Sequence, residues 1–231
     1  LHDCLKIHLH MDLKTFQIPG FDHLTAGSIY CIGRNYAKHA HELNNPVPDE
    51  PIVFLKPRSS LLFGNGDVVI PSKSESVHYE VEMVLLIGEQ AKNISASDAF
   101  KIIEAVAVGI DFTARDIQQK AKEKGLPWSI AKGFDTFAPV GNFASAPGDI
   151  DLGNLSIQLS KNSNIVQEGN TKEMIFSVEK IVEYVSSIFT LFPGDLIFTG
   201  TPEGVGPVKK GDIIEAELGN QLSGLDIHVS K

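Results

Sequence analysis

The segment His78-Tyr-Glu-Val-Glu-Met-Val-Leu85 reads as a β-strand, and the two-residue period of a strand puts Glu80 and Glu82 on one face, with Tyr79, Val81 and Met83 on the other. Two carboxylates this close repel unless a proton is shared or a cation lies between them. A third acid, Asp111, closes the apolar run 105–111, at a strand end where functional groups gather. Three carboxylate oxygens with open positions suit Mg²⁺ or Mn²⁺, hard cations that keep waters or accept a chelating substrate. The spacing Glu-x-Glu by itself also fits a solvated sheet face, which is the commoner occurrence.

A second grouping lies in Gly33-Arg-Asn-Tyr-Ala-Lys-His-Ala-His-Glu42, behind a short apolar strand. His39 and Glu42 stand three apart, on one face if the turn is helical. A carboxylate beside an imidazole fixes its tautomer and raises its basicity, which suits a general base. An ordinary surface pair at this spacing is the competing reading.

These groups need a scaffold. Short apolar segments bounded by Gly, Pro, Asn and Asp recur at 29–32, 52–55, 67–70, 79–87, 105–111, 155–159, 195–199 and 212–218, and each reads as a strand. Pro193-Gly-Asp-Leu-Ile197 and Lys210-Gly-Asp-Ile-Ile214 share a turn followed by an apolar strand and are expected to open two similar hairpins. Helical periodicity runs from Val178 to Phe189 behind a candidate N-cap at Ser177, ended by Pro193-Gly194. A second helix is expected from a Thr113 cap, with Asp116 in the capping-box position, to Gly125, and a third, short one over 98–104. Strands dominate without βαβ alternation, so the class is strand-rich α+β.

A chain of 231 residues with 42% hydrophobic residues can bury a full core, and one domain over 11–231 is expected. Residues 1–10, which hold three of the eight histidines, are read as an appended or leader segment without function. A net charge of −9, with no basic cluster beyond Lys120, Lys122 and Lys124, argues against a nucleic-acid partner. Cys4 and Cys31 fit neither a disulfide framework nor a zinc site, so a reducing cytoplasm is expected. No apolar run is long enough to span a bilayer. The Gly-rich Thr199 to Gly206 loop lacks the Gly-Lys-Ser/Thr ending of a phosphate loop and leads to no helix.

Six ordered motifs between Ser28 and Leu218 carry a resemblance: Tyr30-Cys-Ile-Gly-Arg-Asn-Tyr36, Tyr79-Glu-Val-Glu82, Gly109-Ile-Asp-Phe-Thr-Ala-Arg-Asp-Ile-Gln118, Gly125-Leu-Pro-Trp128, Ala131-Lys-Gly-Phe-Asp135 and Phe198-Thr-Gly-Thr-Pro-Glu-Gly-Val-Gly206. Together they resemble the catalytic domain of the fumarylacetoacetate hydrolase family, especially its compact acylpyruvate hydrolase and oxaloacetate decarboxylase branch. The resemblance implies a mixed β-sandwich roll with a few helices, and a homodimer. It also implies that Glu80, Glu82 and Asp111 hold Mg²⁺ or Mn²⁺, and that His39 and Glu42 form a dyad on a lid over 35–48. Lys132, which would otherwise read as a surface charge, is similar to the family lysine that stabilises developing charge. Arg34, Tyr36, Arg115, Gln118 and Thr201 are similar to substrate contacts.

The activity implied first is hydrolysis of a C–C bond in a 2,4-dioxo acid, with water activated by His39, to give pyruvate and a carboxylic acid. Oxaloacetate decarboxylation is the alternative, followed by isomerisation or decarboxylation of 2-hydroxyhepta-2,4-diene-1,7-dioate. A non-catalytic metal-binding β module is the remote one. The acyl group would be chosen by side chains from Asn44 to Glu50.

Overall fold

The computed structural model describes residues 16–43, 45–146 and 150–231, so the expected leader at 1–10 and Asn44 of the lid lie outside the described residues. Among the described residues the chain forms three sheets and a few short helices, the strand-rich α+β architecture expected. The largest sheet runs Ile52–Lys56, Ile29–Gly33, Leu196–Phe198, Val81–Ile87, Ile103–Ile110, Ala138–Val140 and Leu61–Phe63, with Ala144–Ser145 paired to the side of Ile103–Ile110. Its strands are mixed: Ile29–Gly33 pairs parallel to Leu196–Phe198 and antiparallel to Ile52–Lys56. Such a sheet must be covered on both faces, and it is. Alternate residues divide between two cores, Tyr30, Ile32, Val81, Met83 and Leu85 going to one, and Ile29, Cys31, Val84 and Leu86 to the other.

The first core is closed by a five-stranded sheet, Asn164–Asn170, Ser156–Lys161, Ile213–Leu218, Ser223–Ser230 and Gly66–Val69, and by the helix Val178–Ile188. That helix buries Val178, Ile181, Val182 and Val185, the stripe read from the sequence. Ser177 is its N-cap residue, but its side chain makes no capping bond, and the helix stops at Ile188, before Pro193.

Two expectations need correction. Thr113 does not cap the second helix, which spans Arg115–Glu123 with Ala114 at the cap. Thr113 lies in a strand pair, and its hydroxyl bonds a buried carboxylate instead (below). Asp116 turns outward to accept from Ser74 Oγ at 2.6 Å, not back into a capping box. The two turns at 193–195 and 210–212 do match in detail, since Asp195 and Asp212 each accept the backbone N–H three residues earlier, at 2.9 Å. Only the second opens a hairpin, Ile213–Leu218 with Ser223–Ser230; Leu196–Phe198 instead enters the large sheet between non-sequential strands.

Candidate active site

The three-stranded sheet, Gly206–Val208, Val77–Tyr79 and Thr113–Ala114, meets the large one at the acids. Glu80 is the single residue between Val77–Tyr79 in the small sheet and Val81–Ile87 in the large one. Strand register places Val81 opposite Ile110, and the next step pairs Asp111 N–H with Glu80 O at 2.8 Å. Glu80, Glu82 and Asp111 therefore converge, each offering an oxygen within 4.8 Å of the others, and all three are buried.

Cations surround two of the three. Lys132, ending the short helix Ser129–Lys132, reaches Glu80 Oε2 at 2.9 Å and also Asp111 Oδ2. Arg115 Nη2 pairs with Glu80 Oε1, which also accepts from Thr113 Oγ1 at 3.1 Å. Burial raises the Glu80 carboxyl, but Lys132, Arg115 and His39 outweigh it and hold the group well below the ordinary carboxylate range.

Lys56, at the end of Ile52–Lys56, lies 2.7 Å from Asp111 Oδ1. Its three ammonium hydrogens go to the carbonyls of Phe112, Lys132 and Phe137, at 3.1, 2.5 and 2.8 Å, so Oδ1 gains a nearby charge and no hydrogen bond. Glu82 has a hydrogen bond from Gly200 N at 2.7 Å and no ion pair with a described residue. Burial, then Asp111 and Glu80, push its carboxyl well above the usual value. A buried carboxylate oxygen without a hydrogen bond and a carboxyl without a counter-ion, both facing the same few ångströms, fit a hard divalent cation.

His39 sits on the helix Ala37–Glu42, its Nδ1 3.3 Å from Glu42 Oε2. The other Glu42 oxygen accepts Gly204 N–H at 3.0 Å, so one carboxylate orients the imidazole and fastens this helix to the loop 199–206. At its foot Asn35 is wholly buried and satisfied: its amide donates to Phe176 O and Thr199 O and accepts from Phe176 N–H. Burial lowers the His39 pKa, opposed by Glu80 and Glu42, and the net direction is down.

One cavity of about 30 Å³ is lined by Arg34, His39, Glu80, Glu82, Asp111, Arg115, Gln118, Lys132 and Thr201. Arg115 Nη1 donates to Gln118 Oε1 at 2.7 Å, while Arg115 Nε is buried with no partner among the described residues. Tyr36 is the exception among the sequence-predicted contacts. Its side chain is buried and borders a separate surface hollow with Lys38, Glu173 and Glu203, and burial, then the nearby Glu82, pushes its phenol well above the ordinary value. A roomier open groove of about 860 Å³ carries Glu215, Glu217 and Asp226 but no Lys, Arg or His, so the chemistry does not gather there.

Sequence comparison decides the family: the model described as "Fumarylacetoacetate (FAA) hydrolase C-terminal" matches residues 28–229. The chain belongs to that family. Among its relatives is "Oxaloacetate tautomerase FAHD1, mitochondrial" of Arabidopsis thaliana, 50% identical over 190 residues, covering 82% of this chain and 85% of the relative. "Oxaloacetate decarboxylase, mitochondrial" of Dictyostelium discoideum is 45% identical over 203 residues, covering 87% and 91%. In three dimensions the fold superposes on fumarylpyruvate hydrolase from Pseudomonas aeruginosa, a structure in complex with Mn²⁺ and pyruvate, with a TM-score of 0.87, 35% identity and coverage of 93% and 94%.

Three residues of this family member's site were not singled out from sequence. Lys56 lies just past the strand expected over 52–55 and was given no role. Gln167 is buried in a polar strand, where its side chain accepts Val81 N–H at 3.0 Å and donates to Thr201 Oγ1 at 2.9 Å, tying the loop to the base of the acidic strand. Asn35 was quoted only as part of a motif.

Proposed function

We propose that this protein is a divalent-metal enzyme that shifts a proton beside the 2-oxo group of a short diacid, with oxaloacetate the first substrate to test. The observation that carries this is a desolvated His39, locked by Glu42 and sharing a cavity of about 30 Å³ with the three carboxylates. The cavity carries four cationic side chains, Arg34, Arg115, Lys122 and Lys132, a lining that suits an acid charged at both ends. The relatives named for oxaloacetate chemistry support the same choice.

A divalent cation held by Glu80, Glu82 and Asp111 would supply Lewis-acid polarisation of the 2-oxo group. The rest falls to side chains. Glu42 accepts a hydrogen bond from the Nδ1–H of His39, which fixes the tautomer and leaves Nε2 with a lone pair to remove hydrogen from C3. The C3–H electron pair becomes the C2–C3 double bond, and charge gathers on the C2 oxygen, where the Lys132 ammonium lies close by. Return of the proton to that oxygen gives the enol. Arg115, with its unpartnered Nε, Gln118 and the Thr201 hydroxyl, which accepts from Gln167 and is free to donate, hold the C1 carboxylate.

Hydrolysis of an acylpyruvate is the second reading, favoured by the same dyad, because an oriented imidazole can deprotonate water as well as carbon. The test uses protein stripped by a chelator and reloaded with Mg²⁺ or Mn²⁺. It follows loss of enol-oxaloacetate absorbance, pyruvate release from oxaloacetate, and cleavage of acetylpyruvate. Metal-dependent enol loss supports the proposal; acetylpyruvate cleavage with inert oxaloacetate replaces it by the second reading; inactivity on both overturns the assignment.

A further inference from the structure

Four cationic side chains line the cavity: Arg34, Arg115, Lys122 and Lys132. Two are committed, Lys132 to Glu80 and Asp111, and Arg115 to Glu80 and Gln118. Arg34 and Lys122 make no ion pair with any described residue. Lys122 rests its ammonium 5.6 Å from the centre of the Trp128 ring, another cavity residue. Both cations are partly withdrawn from water, and burial, then the positive charge of Arg34, lowers the Lys122 ammonium from its ordinary value. Arg34 also has a left-handed backbone, φ 58, a conformation a long side chain adopts only when its surroundings impose it. That turn, between the strand Ile29–Gly33 and the buried Asn35, sets its side chain on the cavity wall. Like charges gathered without a counter-ion call for an anion.

We propose that Arg34 and Lys122 form a distal-carboxylate subsite, taking the carboxylate of a short 2-oxo diacid that lies away from the metal-chelating end. This rests on the diacid reading of the site. The guanidinium supplies a planar two-pronged contact and the ammonium a point charge, with Trp128 as the wall behind Lys122. The subsite would make the protein select acids charged at both ends over those with a neutral tail.

The experiment compares two dianions on the Mn²⁺-loaded protein by titration calorimetry. Oxalate chelates but is too short to reach the subsite; 3,3-difluoro-oxaloacetate carries the second carboxylate and has no hydrogen at C3 to lose. Because both carry the same charge, loss of general field weakens them equally, and only loss of contact separates them. Lys122→Met, and Arg34→Asn, chosen because Asn tolerates a left-handed backbone, should each weaken the difluoro diacid about 10-fold, the scale of one charge-assisted hydrogen bond. Oxalate should stay within about 2-fold of wild type, and Lys122→Arg should recover most of the diacid affinity. Equal weakening of both ligands, or of neither, overturns the subsite. Wild-type protein that binds oxalate but not the difluoro diacid overturns the diacid reading itself, an outcome distinct from wild type binding both and the variants failing to discriminate.

Discussion

Replacing Lys56 by Met tests whether the acidic centre is assembled by a buried cation behind it. Lys56 has no exposed side-chain surface, gives its three hydrogens to three carbonyls and stands 2.7 Å from Asp111. Removing one partner of a buried pair costs about 3–5 kcal/mol, because the remaining charge keeps its desolvation penalty; Asp111 keeps Lys132, which puts this loss at the lower end, about 3 kcal/mol. Each abandoned carbonyl adds up to about 1 kcal/mol, with overlap between the terms. A loss of about 4–6 kcal/mol follows, and at roughly 2–4 °C per kcal/mol for a chain of this size the melting temperature should fall by about 10–20 °C. The comparison variant is Lys38→Ala, which removes an ion pair to Glu203 whose lysine is 69% exposed and is therefore expected to cost under about 1 kcal/mol. Both are measured by thermal unfolding without metal and with saturating Mn²⁺. The cation gives Asp111 a second counter-charge, so the Lys56→Met deficit should shrink with metal and persist in part through the carbonyls. A Lys56→Met melting point within about 3 °C of wild type, matching the exposed control, would refute the reasoning.

Other outcomes follow from the same geometry. His39→Ala should cut turnover by about 10²–10⁴-fold while leaving Mn²⁺ affinity unchanged, as steady-state kinetics and metal titration will register. Because burial lowers the His39 pKa, the imidazole stays neutral to below its ordinary value, so the acid limb of kcat/KM should fall below pH 6.5. Glu42→Gln removes a charge that raises that pKa and should move the limb lower still; a limb moving upward would contradict the dyad. Glu82→Gln should weaken Mn²⁺ binding and abolish the metal-induced rise in melting temperature, which in wild type corresponds to about 2.7 kcal/mol at one hundred times Kd. Gln167→Leu, which unties Thr201 and strands the Val81 N–H, should raise KM more than it lowers kcat.

The triad was legible because the strand period is rigid: alternate residues share a face whatever the rest of the chain does, and Asp111 ends an apolar run that could only be a buried strand. The His39–Glu42 contact follows from three-residue spacing in a helix, but its reading as a dyad came from the resemblance, since spacing alone fits an ordinary surface pair equally. Lys56 and Gln167 were not, because a charge after Leu55 and an amide among polar residues look solvated until the strands that cover them are known. The strand Ser223–Ser230 was missed although it alternates buried and exposed along its length, since Ser223, Leu225, Ile227 and Val229 never form an apolar run. Thr113 was assigned a local role, helix capping, while its actual partner, Glu80, lies thirty-three residues away in sequence. Tyr36 was placed by motif alone, and motif order does not say which hollow a side chain borders.

Glu80 is a hinge pin between two sheets: the strand before it belongs to the small sheet, the strand after it to the large one, and Asp111 stands at the matching point on the neighbouring strand. A cation gripped by these acids would rivet the two sheets together across their shared seam. Amide exchange at Glu80, Val81 and Asp111 should then slow on metal addition while the edge strand Gly66–Val69, which pairs only with Ser223–Ser230, stays unaffected. Chemistry and cohesion would draw on one set of bonds, so a protein starved of its cation would lose its reaction and loosen along that seam together.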